Sequence, residues 1–98
     1  METGIYLGKI DRIKMLAQGH SDYGDWFLFK LRISIQSNNK LYYLKFLEES
    51  WKLQDIYSSY FKTKKGDFKQ WRQLSGKTVR LYWDEVDNEN SILISIER

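Results

Sequence analysis

The amino-acid sequence predicts a mainly β fold with a helical insertion, in the order β-β-β-α-β-β. Apolar and polar residues alternate over residues 26–36, which is the pattern of a strand with one buried face. Residues 50–75 change to apolar spacings of three and four, which are typical of helix. Residues 77–96 return to alternation, so two further strands follow the helical segment.

Residues 5–16 are predicted to form a long first strand. Its apolar residues change parity along the chain, because Ile5 and Leu7 are odd-numbered, Ile10 is even-numbered and Ile13 is odd-numbered again. A change of parity within a strand requires an inserted residue, and Gly8 makes a bulge in its neighbourhood plausible. The Gly, Asp and Ser content of residues 17–25 predicts a loop.

The second and third strands are predicted at residues 26–36 and 40–48, joined by a turn at 37–39. Two asparagines in this turn tolerate left-handed backbone angles. The side chains expected to point inward are Phe27, Phe29, Leu31, Ile33 and Ile35 on the second strand and Tyr42, Leu44 and Phe46 on the third.

A helix is predicted from Ser50, which is placed to act as its N-cap, and Gly66 is expected to close it. Asp67 and Gln70 resemble a capping pair for a second short helix that ends at Gly76. The apolar stripes are Leu53, Ile56, Tyr57 and Tyr60 on the first helix and Phe68, Trp71 and Leu74 on the second.

The fourth strand is predicted at residues 77–85 and a turn at 87–90. Ile92, Ile94 and Ile96 are expected to face the core of the fifth strand. Trp71 and Trp83 are assigned structural roles. So is Trp51, for which the sequence leaves open whether it covers the bottom of the sheet or stays exposed.

This order of elements resembles the OB-fold, a five-stranded Greek-key barrel with a helix between its third and fourth strands. The resemblance covers nearly all of residues 1–98, which we assign to a single OB-like domain, and it is one of topology without a family motif. Another small α+β meander with the same order of elements is the alternative. The resemblance implies that an oligonucleotide would bind on the face of the second and third strands.

Several function classes are disfavoured by composition. The absence of cysteine excludes a disulfide scaffold, a thiolate zinc site and a cysteine nucleophile. No apolar run approaches a membrane span, so we expect a cytoplasmic protein that has no membrane partner. We expect no enzymatic activity, no cofactor and no metal, since His20 is the only histidine and the acids at 84–89 lack the spacing of a calcium loop.

Charge is segregated along the chain. Residues 62–80 contain seven basic side chains and one acidic one, whereas residues 81–98 contain five acidic side chains and one basic one. A local excess of basic residues favours a polyanionic partner, although a solvated lysine-rich face would have the same composition.

The outward face of the second and third strands is the predicted binding surface, because single-stranded nucleic acid needs aromatic rings for stacking and cations for phosphates. The predicted nucleic-acid-binding residues are Trp26, Lys30, Arg32, Tyr43 and Lys45, which Arg80 and Tyr82 could extend. Leu28, Leu41 and Leu47 share this face, so it could instead be covered by the helical segment or bind a protein partner.

Overall fold

The computed structural model describes residues 1–98 and confirms the predicted fold class: it is mainly β, with one helix between the third and fourth strands. The elements are β1 (Gly4–Ser21), β2 (Gly24–Ser37), β3 (Lys40–Glu49), α1 (Ser50–Phe61), a first 3₁₀ helix (Trp71–Leu74), β4 (Thr78–Trp83), a second 3₁₀ helix (Asn88–Asn90) and β5 (Ile92–Ile96).

All five strands belong to one antiparallel sheet in the order β3-β2-β1-β4-β5. The long strand β1 is central, because its first half pairs with β4 and its second half pairs with β2. β3 and β5 are the two edges and do not pair with each other, so the sheet is open where a closed barrel would be continuous. The arrangement is compatible with a small barrel-like fold.

The bulges in β1 lie at Asp11 and Leu16, where the pairing with β2 shifts by one residue. Ile5 and Leu7 face outward, so the inward parity first changes at Asp11 and not near Gly8. Gly8 is buried against β2 and is needed for a different reason. A Cβ atom there would come within 2.6 Å of Ile33 Cγ2.

The loop predicted at residues 17–25 is mostly strand. β1 and β2 continue their pairing as far as Ser21 and Gly24, and only two residues connect them. Backbone hydrogen bonds hold this polar segment in strand conformation, although its sequence shows no alternation of apolar and polar residues. The predicted turn between β2 and β3 is confirmed, with Asn38 and Asn39 at φ 52° and 62°.

The core lies between the inward face of the sheet and a layer formed by α1 and residues 62–77. It contains six of the eight inward side chains predicted for β2 and β3. Phe27 is partly buried against it, and Tyr42 is not part of it. The buried members of the core are Ile10, Phe29, Leu31, Ile33, Ile35, Leu44, Phe46, Leu53, Tyr57, Phe68, Leu74, Val79 and Leu81.

The predicted helix is confirmed, but its ends differ from expectation. Ser50 is the first helical residue and not the N-cap, because its hydroxyl accepts a hydrogen bond from the backbone N–H of Phe27 at 3.0 Å. This bond fixes the start of α1 to β2. Lys62, in the left-handed conformation, ends the helix instead of Gly66.

The second predicted helix is reduced to the 3₁₀ turn Trp71–Leu74. Asp67 accepts from the N–H of Lys69, whereas the N–H of Gln70 donates to the hydroxyl of Tyr57 at 2.6 Å, so the predicted capping pair is wrong. The segment is ordered by burying its apolar side chains on the sheet. Phe68, for example, lies 5.9 Å from Phe29 of β2 between ring centroids.

The prediction for β5 is wrong for two of its three isoleucines. The pairing of β4 with β5 shifts between Arg80 and Leu81, which makes Ile94 an extra residue on β5. Ile92 and Ile94 are therefore exposed, while Leu93 and Ile96 pack against the core. A bulge in an edge strand reverses the facing of every residue beyond it.

The acidic segment after β4 folds on itself. Asp84 accepts hydrogen bonds from the N–H groups of Val86 and Asp87, both at 3.0 Å, and the bond from Asp87 contributes most to lowering the pKa of Asp84. No cluster of side chains in the structure has the composition of a metal site. No helix has the length and apolar character needed to cross a membrane.

Glu48 is a buried carboxyl at the end of the inward face of β3, with a relative exposure of 7%. Its side chain lies on the same inward face as those of Leu44 and Phe46, near the end of β3 and just before α1. Burial raises the pKa of Glu48, Lys52 opposes this shift, and the neighbouring Glu49 adds to it.

We predict that Gly8→Ala lowers the free energy of unfolding by about 1–3 kcal/mol, the usual cost of overpacking a tight core. The added methyl group would clash with Ile33 and Ile35, which are fully buried and cannot withdraw. Gly4→Ala is the matched control in the same strand, where the nearest atom is 3.8 Å away. Urea denaturation of both variants provides the comparison, and equal stabilities would contradict the packing described here.

We predict that Glu48→Gln gains stability relative to the parent as pH rises. A carboxyl with a raised pKa in the folded state holds its proton more tightly there, so ionisation above its ordinary value of 4.5 destabilises the fold. The two proteins should differ little at about pH 4, and the variant should be the more stable at about pH 7. Urea midpoints at both values test this, and a difference independent of pH would contradict it.

Candidate nucleic-acid interface

The outward face of β1, β2 and β3 is left largely open by the rest of the chain. α1 packs on the opposite face, so the helical segment does not cover Leu41 and Leu47, whereas Leu28 is half-buried beside Trp51 at the start of α1. Leu41 and Leu47 have relative exposures of 57% and 58%. Lys45 lies between these two leucines on β3, and further basic side chains lie beside it on β2 and β1.

Five cations line a groove of about 350 Å³ across the three strands. Arg12 of β1 lies opposite Arg32 of β2, which lies opposite Lys45 of β3. The next outward row pairs Lys14 with Lys30. We call these five residues the basic groove.

The aromatic ring of the basic groove is supplied by Tyr43, which also lines it. The guanidinium carbon of Arg32 lies 5.2 Å from the centroid of this ring, a cation–π distance. Asp11 at the first bulge accepts a hydrogen bond from Arg32 Nε at 2.6 Å and forms an ion pair with the same guanidinium. Arg32 is thus held in place. Asp11 is the only acidic residue that forms an ion pair with a cation of the basic groove.

The other four cations of the basic groove form no ion pair. Neighbouring strands are about 4.8 Å apart, and like charges directly opposite each other across two strands are destabilising. The pair Lys14–Lys30, which no carboxylate neutralises, therefore costs folding free energy, whereas Asp11 offsets the repulsion between Arg12 and Arg32.

Trp26 lies farther along the outward face, opposite Gly19 of β1. Its indole covers Gly19 so closely that a Cβ atom on that residue would overlap the ring, and 43% of Trp26 remains exposed. Trp26 and Lys30 are four positions apart, which corresponds to about 13 Å along a strand. Trp26 is therefore on the predicted face but not in the basic groove.

A second exposed tryptophan lies beside Trp26. Trp51, in the first turn of α1, is 62% exposed, and its indole N–H donates a hydrogen bond to the carboxylate of Glu49. Both tryptophans line a cleft of about 310 Å³. Trp51 thus stays exposed and does not cover the bottom of the sheet.

The structure does not bring Arg80 and Tyr82 into the basic groove. They lie on β4, opposite Leu7 and Ile5 in the first half of β1, whereas the groove uses its second half. Arg80 Nε also donates a hydrogen bond of 2.9 Å to the carboxylate of Glu97. This bond is the main cause of the lowered pKa of Glu97.

Sequence reasoning missed Arg12 and Lys14. Their signal was present in the spacing of Ile10 and Ile13, since two inward residues three apart imply a bulge and an outward Arg12. By contrast, the basic excess of residues 62–80 lies mainly in the layer that covers the opposite face. Several of its cations contact aromatic rings or an acid there, as Arg72 does with Trp71.

His20 lies at the tip of the β1–β2 hairpin. Its ring Nδ1 is 2.9 Å from Asp25 Oδ1, and these side chains are 78% and 71% exposed. The neighbouring hydroxyl of Ser21 is hydrogen-bonded to the carbonyl of Gly24.

Comparison of the chain with family models, with curated proteins and with solved structures finds no match. Function must therefore be argued from the geometry of the surface itself.

We predict that Lys14→Gln with Lys30→Gln raises the free energy of unfolding by about 0.2–1 kcal/mol at low salt, because it removes a cross-strand repulsion. The gain should shrink as salt rises, since these side chains are screened by solvent ions. Urea denaturation at two salt concentrations measures both effects. A loss of stability would show that the two lysines are not in repulsive contact.

Proposed function

We propose that this protein binds single-stranded nucleic acid on the outward face of β1, β2 and β3 and performs no chemistry on it. The observation that carries the proposal is the basic groove, in which five cations face one bound counter-charge across three neighbouring strands. Phosphate neutralisation with release of counterions is the main driving force for proteins with such surfaces.

The side chains of the face are of two kinds, cations that suit phosphates and aromatic rings that suit bases. The unpaired cations Arg12, Lys14, Lys30 and Lys45 are suited to phosphates. Tyr43, exposed and backed by Arg32, and Trp26, held against Gly19, present flat rings on which unpaired bases can stack. Bases can reach these rings only when they are not paired in a duplex, which favours a single strand.

The fold supports the same proposal. We infer an OB-like architecture from the five antiparallel strands, the bent first strand that pairs on both sides, and the helix between β3 and β4. The OB-fold binds oligonucleotides on the face of its second and third strands. In this chain that face is the one that α1 leaves open.

A protein partner is the second candidate, and the exposed apolar residues favour it. Leu41 and Leu47 flank the basic groove on β3, which is also an unpaired sheet edge. Exposed apolar patches commonly mark interaction sites, and an edge strand can accept another strand. The same face would then serve as an adaptor or inhibitor surface.

We predict that Lys14→Gln with Lys30→Gln weakens binding of a short oligothymidylate and lowers its salt slope by about 1.4, which is two phosphate contacts at about 0.7 each. Fluorescence titration at a series of salt concentrations measures both quantities. Lys64→Gln with Lys69→Gln is the matched control, because it removes the same charge from exposed positions in the layer on the opposite face.

The control variant should retain the parent's salt slope within experimental error. Equal slopes for the parent and the groove variant would refute phosphate binding at the basic groove. Binding of a protein partner that persists at high salt, with no binding of oligonucleotide at low salt, would establish the second candidate, because apolar interfaces respond weakly to salt.

A further inference from the structure

The cleft between the two exposed tryptophans adjoins the basic groove. Leu28 pairs with Glu49 in the outward row next to that of Lys30 and Leu47, which is about 7 Å farther along the strands. The cleft is lined by Trp26, Phe27, Leu28, Glu49, Ser50 and Trp51. A strand whose phosphates lie in the basic groove can therefore place its next base in this cleft.

The polar groups of the cleft are mostly occupied. The hydroxyl oxygen of Ser50 accepts from the N–H of Phe27, and the indole N–H of Trp51 donates to Glu49 Oε2. Glu49 Oε1 has no hydrogen-bond partner in the protein. The hydrogen bond from the indole N–H of Trp51 also fixes the position of the Glu49 carboxylate relative to the indole ring. The cleft thus combines two aromatic rings with one free, oriented acceptor.

This donor and acceptor pattern selects among bases. An ionised carboxylate can only accept hydrogen bonds, and among the pyrimidines cytosine presents a suitable donor, its N4 amino group. Thymine has the same size but presents the O4 carbonyl oxygen at that position, which a carboxylate repels.

We propose that, of the two pyrimidines, this cleft prefers an unstacked cytosine, which lies against the exposed rings of Trp26 and Trp51 and is recognised at its amino group by Glu49. The inference rests on the proposed function, since it names the base that the same surface prefers. Glu49 is then a specificity-determining residue, whereas the basic groove supplies affinity without regard to sequence.

The test compares oligodeoxycytidylate with oligothymidylate of equal length, by fluorescence titration at one salt concentration. The parent should bind the cytosine oligomer about five- to tenfold more tightly, as expected for one charge-assisted hydrogen bond at a partly exposed site. In Glu49→Gln the ratio should fall to about one, because an amide both donates and accepts and so suits either base.

Glu85→Gln is the matched control, since it removes the same charge from an exposed acid beyond the far end of β4. It should keep the parent's ratio even if both affinities rise slightly. Glu49→Gln is expected to fold normally, because Glu49 is exposed and its side chain makes no capping bond to α1. Circular dichroism of the variant verifies this.

The outcomes separate the two proposals. Equal affinity of the parent for both oligomers, with the salt dependence predicted above, overturns the cytosine pocket and leaves single-strand binding intact. A preference that survives Glu49→Gln overturns the role of Glu49. Failure to bind either oligomer at low salt overturns both proposals.

Discussion

The one-residue bulge at Asp11 is the constraint on which the rest of the structure depends. It lets Ile10 and Ile13 both face the core although they are three residues apart, so the long central strand can line one hydrophobic face. The same extra residue turns Arg12 and Lys14 outward, opposite the cations of β2. Asp11 itself then anchors Arg32. Core packing and surface charge are therefore decided at a single position of the backbone.

The electrostatic repulsion within the basic groove does not unfold the sheet, because the inward side chains of the same strands are buried in the core. Phe29, Leu31 and Ile33 alternate with Lys30 and Arg32 on β2 and are at most 1% exposed. Each such buried side chain contributes about 1.5–3 kcal/mol, whereas a cross-strand pair of like charges costs less than about 1 kcal/mol. Burial outweighs repulsion along the same strand, so the basic groove is a rigid platform and needs no ligand to form.

The topology also explains why the outward face of β1, β2 and β3 is bare. The chain has one helix and one short irregular segment to pack on a five-stranded sheet, and both lie on the inward face. A hydrogen bond from Phe27 to Ser50 holds the start of α1 at the end of β2, which leaves Trp51 exposed next to Trp26. The aromatic cleft is thus a consequence of where the helix begins, and it adjoins the basic groove because both are built on β2 and β3.

The sequence by itself determined the order of elements, the inward faces of β2 and β3, and the juxtaposition of Lys30, Arg32, Tyr43 and Lys45. Two neighbouring strands joined by the two-residue turn at Asn38 and Asn39 have a register that alternation alone specifies. Only the tertiary structure decided which residues of β1 and β5 join or leave a face. There a single inserted residue, fixed by pairing with a distant strand, reverses the facing of the residues beside it, as it does for Arg12 and Ile92. The spacing of Ile10 and Ile13 indicates the insertion in β1, but the regular alternation of Ile92, Ile94 and Ile96 gives no sign of the insertion in β5, which only the pairing with β4 imposes.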